Sequence, residues 1–124
     1  MAKVTGLGGL FYKVMDPAKT QAWYKETLGV GGEWGAMFPF KADSPEGFTL
    51  LSPFNAETDY FGPSDAAFMI NLRVDDLDGV VADLEGKGIK ILGRQDEDYG
   101  RFAWILDCDG VKVELWQQLG DAPA

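Results

Sequence analysis

The sequence predicts an α+β domain of two tandem βαβββ modules, forming curved mixed sheets around a concave pocket with helices outside. Three observations lead there. A strand-like alternation ending in an aspartate-capped helix occurs twice, with Asp16 and Asp76 as equivalent anchors. Each helix is followed by short strand-like stretches separated by Gly, Pro, Asp and Ser. The last strand splits into an apolar and a mixed face. A chain of 124 residues is one domain with a core large enough to fold unaided. We therefore read 1–124 as a single domain: module one over about 4–52, a loop over 53–66, and module two over about 67–117.

The first strand spans Val4 to Val14, with Leu10, Tyr12 and Val14 on one face and Gly9, Phe11 and Lys13 on the other. Asp16-Pro17 starts a helix, because aspartate caps the first amides and proline loses nothing at the first helical position. That helix runs to about Leu28 and stops at Gly29. Glu33 to Phe40 and Gly47 to Leu51 read as strands around the turn Asp43-Ser44-Pro45-Glu46-Gly47, with a break near Gly35. Pro53 to Ala66 is a loop carrying Phe54, Tyr60 and Phe61, more aromatic surface than a connection needs, and suits a pocket lip or a packing strap.

The second pass repeats the first. Ala67 to Val74 is a strand, with Ile70, Leu72 and Val74 on one face and Met69, Asn71 and Arg73 on the other. Asp76 caps a helix whose Leu77, Val80, Val81 and Leu84 fall at i, i+3, i+4 and i+7, and Gly86 and Gly88 end it. Ile89 to Leu92 reads as a strand and Gly93 to Gly100 as an acidic, solvated loop. Arg101 to Leu106 and Gly110 to Gln117 are strands joined by Asp107-Cys108-Asp109-Gly110, where Gly110 suits a left-handed turn position.

Composition removes whole classes of chemistry. With no histidine, the usual general base, the Ser-His and Cys-His nucleophile pairs and the commonest transition-metal ligand are missing. A single cysteine, Cys108, allows no internal disulfide and points to a cytoplasmic protein. A net charge of −9 without a basic stripe argues against nucleic acid, and no run is apolar and long enough to enter a membrane. The N-terminal stretch lacks the apolar core of a signal peptide.

On the closing strand, Val111, Val113 and Leu115 should lie under a helix. Lys112, Glu114 and Trp116 then face the concavity. The same alternation brings Phe11, Met69, Asn71, Arg73, Phe102, Trp104 and Trp116 to that face: aromatic walls with a few polar groups, the composition of a ligand pocket. The same aromatics also suit a face that closes on itself as core. Glu114 admits three roles: a structural partner for Lys112, Lys13, Arg73 or a tyrosine hydroxyl; a contact for a ligand's polar or cationic group; or a general base working without metal.

Lys13-Val14-Met15-Asp16 running into Ala22-Trp23-Tyr24 and Leu28-Gly29, then Arg73-Val74-Asp75-Asp76-Leu77-Asp78, then Tyr99-Gly100-Arg101 through Asp107-Cys108-Asp109-Gly110 to Val113-Glu114-Leu115-Trp116 carry a resemblance. Over about residues 4–117 the chain resembles the vicinal oxygen chelate superfamily of glyoxalases, bleomycin-resistance proteins and extradiol dioxygenases. The resemblance implies four inward metal ligands, usually a histidine on each module's first strand and a carboxylate on each last strand. Those positions fall on Gly9, Met69, Leu50 (or Leu51) and Glu114, so Glu114 alone keeps a metal-ligating group. The turn before the last strand also departs from the family's Asp-Pro-Asp/Glu-Gly-Asn.

The expected function is metal-independent binding of a small organic molecule, aromatic or cationic, as in bleomycin-resistance proteins. No metal or cofactor is expected, and the resemblance implies a homodimer. Two alternatives stand beside it. One is a glyoxalase-like lyase or isomerase with Glu114 as its catalytic residue; metal-dependent dioxygenase chemistry is disfavoured. The other is an accessory module that binds a partner protein through Pro53 to Ala66.

Overall fold

The computed structural model describes residues 14–32, 35–36 and 56–119. The strands expected over Val4 to Val14, Glu33 to Phe40 and Gly47 to Leu51 lie wholly or largely outside these residues, as do Gly9, Phe11, Lys13, Leu50 and Leu51.

Helix α1 (Pro17–Leu28) begins as its sequence dictates, with the Asp16 carboxylate accepting from the Lys19 amide at 3.2 Å and proline in the first turn. Gly29 ends it in the left-handed region at φ 69. Strand β1 (Ile70–Arg73) leads into helix α2 (Leu77–Gly86), where the Asp76 carboxylate accepts from Gly79. The two caps are alike in backbone, φ −140 and ψ 94 at Asp16 against φ −146 and ψ 94 at Asp76. Strands β2 (Gly93–Glu97), β3 (Gly100–Leu106) and β4 (Lys112–Gln118) follow.

The strands form one mixed sheet in the order β1-β4-β3-β2. β1 runs parallel to β4, and the other two pairs are antiparallel. Period-2 alternation decides which side chains meet the helices. Ile70, Ala103, Ile105, Val113 and Leu115 are buried with Leu77, Val81 and Leu84 of α2, and Tyr24 of α1 joins the cluster. Complete burial of Leu77, Leu84, Ile105 and Val113 makes this the apolar centre that holds the sheet.

The turn joining β3 to β4 is the second anchor. Buried Asp107 accepts from the Asp109 and Val111 amides at 2.9 Å each, which shapes the turn, and from the Tyr24 hydroxyl at 2.8 Å. Thr20 donates to Asp109 at 2.6 Å, so two bonds tie α1 to this turn. Gly110 sits at φ 79, as the turn requires. Cys108 is half-buried, and burial raises its thiol pKa, which keeps the thiolate scarce.

Two expectations are corrected. The strand expected over Ala67 to Val74 is confined to Ile70–Arg73, since pairing with β4 covers only the register Ile70↔Val113 to Arg73↔Trp116. The stretch Gly93 to Gly100 is not a solvated loop, and the strand lies there rather than at Ile89 to Leu92. β2 pairs with β3 from Gly93↔Trp104 to Glu97↔Gly100, leaving only Asp98 and Tyr99 as the turn. Backbone pairing, not burial, makes it a strand; it is a charged sheet edge, which leaves no apolar alternation to read.

Candidate functional site

The site lies on the sheet face opposite the helices, and register assembles it. Glu114 on β4 is flanked by Asn71 on β1 and Trp104 on β3 as direct cross-strand partners. Adjacent side chains on one face lie close enough to bond. Asn71 Nδ2 donates to Glu114 Oε1 at 2.8 Å, and Trp104 Nε1 donates to Oε2 at 2.8 Å. A third donor comes from the loop: the Tyr60 hydroxyl reaches Oε2 at 2.5 Å. Glu114 is only 7% exposed, and three donors meet its carboxylate there.

The next register row carries Arg73, Trp116, Phe102 and Gln95 across the four strands. Phe102 is nearly parallel to its cross-strand partner Trp116 (3°, centroids 6.5 Å apart) and to Trp104 two residues on (10°, 6.4 Å). Gly100 makes room for this packing. A Cβ there would stand 2.7 Å from Trp116 Nε1 and 3.1 Å from Phe102 Cζ.

Tyr60 straps the loop onto the face. Its ring meets Trp104 edge-on at 6.0 Å and 90°. Lys112 donates to its carbonyl oxygen at 2.5 Å and lies over both rings, 5.0 Å from the Tyr60 centroid and 5.5 Å from that of Trp104. Desolvation, then the Glu114 carboxylate, raises the Tyr60 phenol pKa well above its ordinary value, so the phenol stays protonated and donates. Desolvation lowers the Lys112 pKa against the pull of nearby carboxylates.

Beside this network lies a cavity of about 180 Å³ lined by Tyr60, Gln95, Glu97, Tyr99, Phe102 and Trp104. Four of the six are aromatic. Gln95 donates to Glu97, whose carboxylate belongs to the cavity lining. Tyr99 is 65% exposed and stands edge-on to Phe102 at 6.0 Å.

The expected site residues are thus distributed as follows. Phe102 and Trp104 line the cavity; Trp116 lies buried against Phe102. Asn71 belongs to the Glu114 network, and Arg73 and Met69 are half-buried at or next to β1, outside the cavity lining. Phe11 is outside the described residues. Sequence reasoning missed Gln95, Glu97 and Tyr99 as lining residues, and named Tyr60 only within a loop suited to a pocket lip or a packing strap. The alternation of Gly93, Gln95 and Glu97 opposite Trp104, Phe102 and Gly100 was the available signal for two of them.

No family model matches the chain. No curated protein matches it. Solved structures do. TnmS3, an antibiotic binding protein from Streptomyces sp. CB03234, is 27% identical, with TM-score 0.53 over 86% of this chain and 89% of that one. A glyoxalase/bleomycin resistance protein from the same organism is 25% identical, with TM-score 0.50 over 82% and 91%. A member of the glyoxalase/bleomycin resistance protein/dioxygenase superfamily from Sphaerobacter thermophilus is 19% identical, with TM-score 0.51 over 85% and 90%. The chain has a vicinal oxygen chelate-type fold.

Within that fold a divalent ion is the group to test against the residues present. Glu114, the one ligand position for which the resemblance leaves a metal-ligating group, is surrounded by N–H and O–H donors, and those donors hold the acceptor sites a cation would need. Met69 is a thioether, too soft for Mg, Mn or Zn. Among the described residues no three His, Cys, Asp or Glu side chains converge to hold a metal ion. The described donor set does not fit a catalytic metal.

Proposed function

We propose that this domain binds a small planar organic molecule, stacking it against Trp104 and Phe102 without a metal. The observation that carries this is the cavity wall of four aromatic rings, to which Gln95, Glu97 and the tyrosine hydroxyls add polar groups. Aromatic faces contribute affinity with little side-chain entropy, while a few polar groups orient the guest. The antibiotic binding protein among the structural neighbours supports the same reading.

Glu114 in this reading is a positioning residue. Two of its three hydrogen bonds hold Trp104 by its indole nitrogen and Tyr60 by its hydroxyl, so in the free protein the Trp104 ring presents a fixed face with Tyr60 fastened beside it. The three bonds also occupy the carboxylate that a general-base role would need free.

The tandem organisation, with modules over about 4–52 and 67–117, is part of the proposal and is supported by the matching caps at Asp16 and Asp76. A homodimer is proposed with it, to be checked by light scattering of the purified protein.

Quenching of tryptophan emission by planar aromatic compounds tests the function directly. Saturable quenching that disappears in Trp104→Ala, unchanged by Mn, Zn or chelator, is the expected result. Binding that requires a stoichiometric metal would overturn the reading.

A further inference from the structure

Tyr60 is placed as a ligand would be. Its ring stands edge-on to Trp104 and its hydroxyl is bonded to a buried carboxylate. A lysine ammonium lies 5.0 Å from the ring centroid. Each of these is an ordinary way to recognise a phenol: an aromatic wall, a cation over the face and an acceptor for the hydroxyl. Tyr60 and Trp104 line the cavity and both bond Glu114, so the carboxylate lies behind these two rings. Tyr60 is also the part best able to leave. It belongs to a loop turned by its own contacts, Tyr60 N to Thr58 at 3.2 Å, Gly62 N to Asp59 at 2.9 Å and Ser64 N to Phe61 at 3.1 Å, whereas Trp104 and Glu114 sit in the two central strands.

We infer that the site takes a hydroxyaryl ligand, whose ring and hydroxyl displace those of Tyr60 and bond to Glu114 beside Trp104. The inference rests on the small-molecule reading above and narrows it to one chemical class. Tyr60 thereby acts as an internal competitor. It fills the recognition point in the free protein, keeps Glu114 bonded and sets a threshold that only a ligand offering its own hydroxyl can cross. Lys112 tightens the competitor by holding the Tyr60 carbonyl.

The probes are 2-naphthol and 2-methylnaphthalene, of similar shape, with and without the hydroxyl. Each is titrated against the whole chain by tryptophan emission. Tyr60→Phe keeps the ring but removes the competing hydroxyl, so 2-naphthol should bind about tenfold more tightly while 2-methylnaphthalene gains little. Lys112→Met should shift 2-naphthol in the same direction by releasing the loop. Glu114→Gln in the Tyr60→Phe background should reduce the preference for the hydroxyl, and near-ultraviolet circular dichroism verifies that each variant is folded. Equal affinity of 2-naphthol for wild type and Tyr60→Phe, with both probes binding, overturns the displacement and leaves the aromatic pocket standing. Failure of both probes to bind any form overturns the pocket and the displacement together.

Discussion

The Tyr60 hydroxyl donates to Glu114 Oε2 at 2.5 Å across 54 residues of sequence, and Trp104 Nε1 donates to the same oxygen at 2.8 Å. One carboxylate oxygen therefore joins a loop to the sheet and sets the indole that forms the cavity wall. Stability and pocket shape depend on the same bond.

Tyr60→Phe should cost about 1–2 kcal/mol at neutral pH, the lower range for a hydrogen bond to a charged acceptor at a half-buried site. The cost should itself depend on pH. The phenol pKa is raised in the folded state, so the bond contributes fully below the unfolded tyrosine value of roughly 10. Above that the unfolded chain releases a proton the folded chain keeps, and the contribution falls as pH rises. Urea titrations of both proteins from pH 7 to 11 check this: the gap between them should stay level and then narrow. A gap that widened above pH 10 would contradict the assignment.

Glu114→Gln and Glu114→Ala should differ. The glutamine keeps one acceptor for Tyr60 and Trp104, and its amide can face Asn71 if that side chain turns its oxygen inward, so a loss of about 1–2 kcal/mol is expected. Alanine removes a side chain that is only 7% exposed and leaves the half-buried Trp104 and Tyr60 donors without their acceptor, while exposed Asn71 turns to water, and should cost about 2–4 kcal/mol. Chemical denaturation gives both values, and tryptophan emission should shift most in the alanine variant.

Gly100→Ala should damage the pocket more than its size suggests. The added methyl meets Trp116 Nε1 at 2.7 Å and Phe102 at 3.1 Å, so both rings must move. A destabilisation of about 1–3 kcal/mol is expected, with a changed near-ultraviolet circular dichroism signal and weaker quenching by planar ligands. Gly110→Ala serves as the contrast. It strains a left-handed turn at φ 79 but should leave the aromatic signal alone.

Asp107→Ala should be among the most damaging single changes on the turn. It removes the acceptor of the Tyr24 hydroxyl and of two turn amides together, an expected loss of about 3 kcal/mol or more. Tyr24→Phe removes one of those bonds and should cost about 1 kcal/mol. Thermal denaturation of the two variants orders them.

Much of this was legible in the residues. Asp16-Pro17, Asp76 and Gly29 announced their helix ends because capping is local chemistry. Val113 and Leu115, with Val111 just before the strand, announced the helix-facing side of β4 because alternation is local too, and Glu114 with Trp116 followed on the other face. β2 was not legible. Its Arg94, Gln95 and Asp96 are exposed on a sheet edge, so no apolar periodicity marks it, and Gln95 and Glu97 were lost from the site with it. Tyr60 was visible only as an aromatic in a loop. Which carboxylate it meets depends on how the loop returns over β3 and β4, a long-range matter no local pattern carries.

The bond from Thr20 to Asp109 closes a separation of 89 residues, and that from Tyr24 to Asp107 one of 83. Contacts so distant carry the largest loop-closure entropy and are made late. On a ribosome, α1 emerges long before the turn that receives it, and a helix of 12 residues is marginal alone in water. Its docking onto this turn therefore waits until β3 and β4 have been made, and until then the nascent chain carries the Tyr24 hydroxyl without its Asp107 acceptor.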